Sequence, residues 1–490
     1  MTVVLQPDLL YVDGRFHEGW AVEYDPSDGR IRRVGPRAGP PNASAAVTAA
    51  AGAAAGAAGA ADRRTIERLP GRALLPGFVN AHSHAFQRLI RGRTQWKPAD
   101  RPEADFWSWR EAMYAAALPL SPDDVFHVSR ACFLEMLHAG WTAVGEFHYL
   151  HRDPAGRAYA DPNELAHRVI EAAREVGIRI ALLNVCYATG DIERELGPRQ
   201  RRFATPAPEG YLADTEALLE RHAAAAASGL VTVGVAPHSV RAVPREWLGE
   251  LHAWADSNDV AFHIHVSEQI AEVERCEAVY GLRPVELLDA SGVVDARLTA
   301  VHATHLAEDE LAILGDASAT VCACPTTERD LGDGFLPGRE LLAAGARIAL
   351  GSDSHTVIDP FEEMRLVEYH ERLRRRRRVV LAASEGSEGD RLEVAPTLLR
   401  MGAEAGARAL RIDAGRLEAG RQADMIAVDL SHRTLAGWTP GSLGALLALS
   451  APAAVVSDVW VGGERRIEDR RHALDQEAMA ALGRVASAVE

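Results

Sequence analysis

Residues 1 to 35 alternate apolar and polar positions around Asp-Gly punctuation, as in LLYVDGRF and AVEYDPSDGRIRRVG. That pattern predicts short strands joined by tight turns. From Ala73 the pattern changes. Apolar, strand-like runs appear in series: ALLPGFVN, TAVGEFHY, IRIALLNVCY, VTVGVAPHS, VAFHIHVSE, LTAVHATH, ATVCACPTT and ARIALGSDSH. Between them lie amphipathic segments such as ELAHRVIEAAREVG and DTEALLERHAAAAASG, with helical spacing. Strand then helix, repeated about eight times over roughly 330 residues, predicts an α/β chain built on a TIM-like (β/α)8 barrel. After about Arg411 strand character returns, in GRLEAGRQADMIAVDL and AAVVSDVWVGGERRIED. The expected organisation is a barrel over 73–411 and a small β-sandwich domain assembled from 1–72 and 412–490. The Ala/Gly-rich tract Ala43 to Ala61 has no periodic core face and reads as a loop insertion in that β-domain.

Composition narrows the partners. Hydrophobic residues make up 47% of the chain, enough for a large core, and the formal net charge is −16. That balance argues against nucleic acid or an anionic membrane as partner, but not against a small anionic substrate in a locally basic pocket. The five cysteines, Cys132, Cys186, Cys276, Cys322 and Cys324, are odd in number and lack a C-x-x-C pair, so no disulfide framework is expected. Cys322 and Cys324 read as small buried hydrophobes on one strand face. The start, MTVVLQPDLLYVDG, lacks a basic segment, an apolar core and a cleavage site, and no apolar run reaches the roughly 20 residues of a membrane span. The expected location is the cytoplasm. The run Arg374 to Arg378 reads as a solvated helix face.

Chemistry concentrates at the ends of the strand-like runs. In such barrels the C-terminal ends of the strands carry the active site. His82-Ser83-His84 ends the first run, and residues two apart on a strand face the same way. His265 ends the fifth run, His302 the sixth and Asp353 the eighth. Imidazole nitrogen plus a carboxylate suits zinc, with iron or manganese also possible, and a position left open for water makes such a site catalytic. His305 and His355 fall just past strand ends and read as loop residues.

PGFVNAHSH, HIHVSEQ, VHATH and GSDSH resemble the amidohydrolase superfamily, in the branch that includes adenosine and cytosine deaminases. The resemblance covers nearly the whole chain, including GRLEAGRQADMIAVD, which is similar to the closing motif of the split β-domain. It implies one Zn2+ per subunit, held by His82, His84, His265 and Asp353. His265 is preferred to His263, one layer deeper, because it stands three residues before Glu268. The fourth run ends in His238 where two-metal branches carry a modified lysine, which supports one metal. The resemblance further implies that Glu268 takes a proton from water and passes it to the leaving nitrogen, while His302 polarises the reacting centre. Asp353 would both bind the metal and relay a proton.

The loop segments HSHAFQR, FWSWRE, EFHYLHRD, APHSVRAV and CPTTERDLGDG resemble one family within that superfamily, the formimidoylglutamate deiminases of L-histidine degradation. That implies hydrolysis of a linear amidine, N-formimino-L-glutamate, to N-formyl-L-glutamate and ammonia, by a homodimer. Carried over residue by residue, Gln87, Arg110, Tyr149, His238 and Arg241 would hold the glutamate part. Arginine is the natural bidentate partner of a carboxylate. Phe106, Trp107 and Trp109 are read as packing. Ala81 and Asp330 depart from the family pattern, where a larger apolar residue and Asn are common; neither is a proposed ligand. Two rivals stand beside this reading. A deaminase of a purine or pyrimidine base would want aromatic stacking and amide hydrogen bonds rather than two arginines. A catalytically dead barrel would have lost ligands, and here every expected ligand is present.

Overall fold

The computed structural model describes residues 2–37, 64–97, 99–100, 106–382 and 391–489. The tract Ala43 to Ala61 lies outside the described residues. Five strands come first: β1 (Thr2–Val12), β2 (Arg15–Glu18), β3 (Trp20–Asp25), β4 (Arg30–Pro36) and β5 (Arg64–Pro76). Eight follow at the expected runs: β6 (Phe78–Ser83), β7 (Trp141–His148), β8 (Arg179–Cys186), β9 (Val231–Pro237), β10 (Phe262–Val266), β11 (Leu298–His302), β12 (Thr320–Ala323) and β13 (Arg347–Leu350). β14 (Met425–Asp429), β15 (Val456–Val461) and β16 (Glu464–Ile467) close the series.

Strands β6 to β13 pair in parallel in chain order. Helices cover the outside, so almost every strand residue is buried, as parallel sheets require. The helix Glu164–Val176 shows how: Leu165, Ala166, Val169, Ile170, Ala173 and Val176 form its buried face. The last strand returns to the first. Asp353 N donates to His82 O at 3.0 Å, and His84 N to Asp353 O at 3.1 Å, closing the ring just past β13. Such an approach needs Gly351, because a Cβ there would lie 2.8 Å from the His82 Cβ.

The chain ends supply the second sheet, in the order β16-β15-β14-β5-β1-β3-β4, with β2 paired to β1. All eight of its strands hydrogen-bond into one mixed sheet. Its period-2 pattern serves two cores. Leu9, Ala73 and Leu75 join the main core, while Leu10 and Leu74 pack with Val22, Ile31, Met425 and Trp460 in a second one. One buried ion pair ties sheet to barrel. Arg179, at the start of β8, meets Asp424, just before β14, through two bonds of 2.8 Å, with side chains 2% and 0% exposed. Gly462 N also donates to Asp424, at 2.7 Å.

The cysteines are all unpaired and buried. Among the described residues no helix is long and apolar enough to cross a membrane. Arg374 and Arg375 pair with Glu340 and Glu371, and Arg376 to Arg378 are exposed, as a solvated face requires.

Asp424→Ala leaves the Arg179 charge buried without its partner. It should lower unfolding stability by about 3–5 kcal/mol, read as a fall in the denaturation midpoint, and Arg179→Met should cost a comparable amount because it strands the buried Asp424 carboxylate.

Candidate metal centre and substrate cleft

The four expected ligands come together although 271 positions separate His82 from Asp353 in the chain. His82, His84, His265 and Asp353 are all buried, and one donor atom from each lies within 4.8 Å of the others. His82 Nε2 is 3.1 Å from His84 Nε2 and 3.0 Å from His265 Nε2. Asp353 Oδ1 is 3.4 Å from His82 Nε2 and 3.3 Å from His84 Nε2. The β6 register sets the first two ligands on one face, and ring closure delivers Asp353 beside them.

Backbone acceptors define which ring nitrogens are bare. His84 Nδ1 donates to the Phe147 carbonyl and His265 Nδ1 to the His238 carbonyl, each at 2.9 Å. With the proton on Nδ1, the Nε2 lone pairs of both rings face the His82 Nε2. Burial keeps the His82 and His265 rings neutral: it lowers the pKa of His82 to about 3 and that of His265 well below the usual value. Burial opposes the charge of Asp353, but His82 beside it and the charge of His302 outweigh it and hold its pKa well below the usual carboxylate range. Converging lone pairs and a carboxylate about 3 Å apart are the donor set that a divalent cation with bonds of about 2.0–2.2 Å satisfies. His263 stands apart from this set, with Nε2 2.9 Å from the Ala409 carbonyl deeper in the barrel.

Glu268 and His302 flank the centre. His302 Nε2 is 3.8 Å from Glu268 Oε1 and 3.9 Å from Asp353 Oδ2, and its Nδ1 is 3.4 Å from Glu328 Oε1. Burial opposes protonation of His302, but Glu268, Glu328 and Asp353 together raise its pKa well above the ordinary range. Burial, with Asp353 adding to it, raises the Glu268 pKa against the opposing pull of His302. The backbone here is strained: Ser267, His302 and Asp353 have φ of +53°, +68° and +45°. Non-glycine residues hold such angles at a cost of about 1–3 kcal/mol each, typically at functional sites.

A narrow cleft of about 60 Å³ opens on these groups, lined by Arg110, Tyr149, His238 and Arg241 among others. Arg241 is 7% exposed and lies 3.2 Å, through Nε, from the Glu272 carboxylate. Arg110 sits on the helix Phe106–Ala117 and donates through Nε to the Tyr114 hydroxyl at 2.7 Å. Gln87 stands behind the wall, donating to the Tyr149 hydroxyl at 2.9 Å, and its own Oε1 is buried without a partner. Phe106 and Trp109 stack at 6.0 Å and also line the cleft, so they do more than prop a loop. A larger cavity of about 320 Å³, between Tyr11, Phe78 and Arg400, contains no expected site residue.

Sequence reasoning missed a supporting layer. His355, expected in a loop, is fully buried and lies 3.2 Å from Ser83 Oγ and 3.0 Å from Ser352 Oγ. Glu146 accepts from Ser83 Oγ at 2.5 Å and from Ala85 N at 2.7 Å; burial raises its pKa to about 7. Glu328 and Glu272 were also unmarked. The Glu in EFHY, at the end of a strand run, and Glu328, inside the segment CPTTERDLGDG, gave a signal; Glu272 falls in a helical stretch where a glutamate is ordinary.

Comparison with known proteins adds the following. A profile of the amidohydrolase family matches residues 73–466. The chain is 38% identical over 420 residues to a formimidoylglutamate deiminase of Pseudomonas aeruginosa, covering 86% of this chain and 90% of that protein. It superposes on a crystal structure of an amidohydrolase from Brucella melitensis with a TM-score of 0.84 and 33% identity, covering 99% of each chain. An adenosine deaminase from Xanthomonas campestris with bound zinc gives a TM-score of 0.76 at 25% identity, over 99% and 98% of the two chains.

The donor set predicts a simple contrast. His265→Ala should lower bound divalent metal in the purified protein by at least about tenfold, whereas His263→Ala should leave the stoichiometry unchanged, both read by elemental analysis after dialysis.

Proposed function

Because this chain belongs to the amidohydrolase family, we propose that it hydrolyses N-formimino-L-glutamate to N-formyl-L-glutamate and ammonia, a step of L-histidine degradation, with one zinc ion held by His82, His84, His265 and Asp353. The observation that carries this reading is the pairing of two arginines with a hydrolytic centre: Arg110 and Arg241 line the same cleft as Glu268, His302 and Asp353. A linear amidine with two carboxylates presents groups for both halves of such a cleft. The likeness to the Pseudomonas deiminase supports the substrate, and the N/O donor set supports zinc, with iron or manganese as the alternatives.

A divalent cation at the four donors supplies Lewis acidity, bringing the pKa of water down toward about 7. Arg241, Arg110 and Tyr149 hold the glutamate part, with His238 completing the pocket and Gln87 holding the Tyr149 hydroxyl from behind. Glu268 takes a proton from water as the water oxygen attacks the amidine carbon. His302 donates toward the tetrahedral centre as charge develops there. Glu268 then delivers its proton to the terminal nitrogen, the C–N bond breaks, and ammonia leaves. Asp353 takes the remaining hydroxyl proton as the carbonyl forms and passes it on, so that ammonium and a formamide are the products.

Ammonia release should be seen with N-formimino-L-glutamate and not with guanine, cytosine or adenosine. Arg241→Met should lower kcat/KM for formiminoglutamate by at least about 100-fold, the loss of a charge-assisted bidentate contact, while bound metal is unchanged. Wild-type kcat/KM in that variant means another substrate.

Glu268 works as a base only when ionised. Its pKa is raised above 4.5, so activity should fall as pH drops through a value higher than that of an ordinary glutamate. Glu268→Gln should keep its metal and lose about 10²–10⁴-fold in kcat; an active variant rules out the proton shuttle.

A further inference from the structure

Arg241 and Glu268 belong to different strand ends, and one side chain joins them. Glu272 lies in the first turn of the helix Ile270–Tyr280 and is 1% exposed. Its Oε2 accepts from Arg241 Nε at 3.2 Å, and its Oε1 accepts from the backbone N of Ser267 at 3.1 Å. Ser267 immediately precedes Glu268 and holds a left-handed φ of +53°. One carboxylate therefore fixes both the guanidinium facing the cleft and the strained turn that aims the proton shuttle.

The arrangement has a direction. A bond to Nε occupies one side of the guanidinium and leaves its terminal NH1–NH2 edge as the fork that a carboxylate accepts. Arg241 lines the cleft, so that edge is the one available to a ligand. The charge balance points the same way. Glu272 neutralises Arg241, so the pair adds no net positive charge to attract an anion. If Arg241 acted only by attracting a dianion from solution, a buried partner of opposite charge would weaken it. A buried pair of this kind adds geometry rather than attraction.

We infer that Glu272 is a positioning residue for substrate recognition: it holds the Arg241 fork toward a carboxylate of the substrate while its second oxygen sets the Glu268 turn, so that carboxylate anchor and proton shuttle keep a fixed separation. The inference rests on the substrate reading above. It deepens that reading by making the distance between a ligand's carboxylate and its reacting carbon the quantity the site selects.

The test uses the full-length, metal-loaded enzyme and its variants Glu272→Gln, Glu272→Ala, Arg241→Met and Glu272→Gln/Arg241→Met. Each is assayed for kcat and KM with N-formimino-L-glutamate, bound metal and melting temperature. Positioning predicts that Glu272→Gln raises KM by about 10- to 100-fold, changes kcat by less than about threefold and leaves metal content unaltered. In the Arg241→Met background the same substitution should add less than about twofold to KM, because the two side chains act as one unit. A KM that falls overturns the inference, since that is what removing a mere neutralising charge would do. A loss confined to kcat overturns it too, assigning Glu272 to the Glu268 turn alone, and so do effects that multiply in the double variant. Should Glu272→Ala fail to fold, the near-isosteric Gln variant carries the comparison. A wild-type enzyme that releases no ammonia from formiminoglutamate fails the substrate reading, and this inference with it, before any variant is compared.

Discussion

Three imidazole nitrogens and one carboxylate oxygen meet in a buried space about 3 Å across at the mouth of the barrel. The His84 and His265 rings, whose other nitrogens already donate to carbonyl groups, have only lone pairs to offer the His82 ring beside them. In a low-dielectric interior that crowding is unfavourable unless a positive charge sits among them. The rest of the site follows from this constraint. Asp353 stays ionised because His82 and the charge of His302 stand beside it, and His302 gains a proton because three carboxylates surround it.

The barrel is what makes the crowding possible. A parallel strand pair sets neighbouring residues in register, and only closure of the ring brings the first strand against the last. Here the closing hydrogen bonds run between His82, His84 and Asp353 themselves. The joint that completes the fold and the joint that assembles the four candidate ligands are therefore the same, and Gly351 is small enough to let it form. Strained φ values at Ser267, His302 and Asp353 mark where the chain leaves its strands to aim side chains inward.

Leaving a strand exposes backbone donors, and buried glutamates satisfy them. Glu146 accepts from Ala85 N, Glu272 from Ser267 N and Glu328 from Cys324 N. Each of the three also touches a side chain of the site: Ser83, Arg241 or His302. A carboxylate that must be buried to complete a backbone hydrogen bond costs less when it also orients a working group. The scaffold and the chemistry thus share the same side chains, and the second sheet, through Arg179 and Asp424, braces the opposite end of the barrel.

The alternation of apolar runs with amphipathic segments determined the barrel, because periods of two and 3.6 follow directly from where side chains point. The placing of His82, His84, His265 and Asp353 at run ends was equally legible, since a parallel barrel puts all such ends on one rim. Distances along the chain could not reveal the supporting layer. Glu272 reads as an ordinary residue of a helical stretch, and His355 as part of a loop, because nothing local marks a side chain that turns inward to meet a partner dozens or hundreds of positions away. Burial and hydrogen bonding are properties of the closed ring. The sequence by itself therefore settled which residues arrive at the rim, and the tertiary structure alone decided which of their neighbours hold them there.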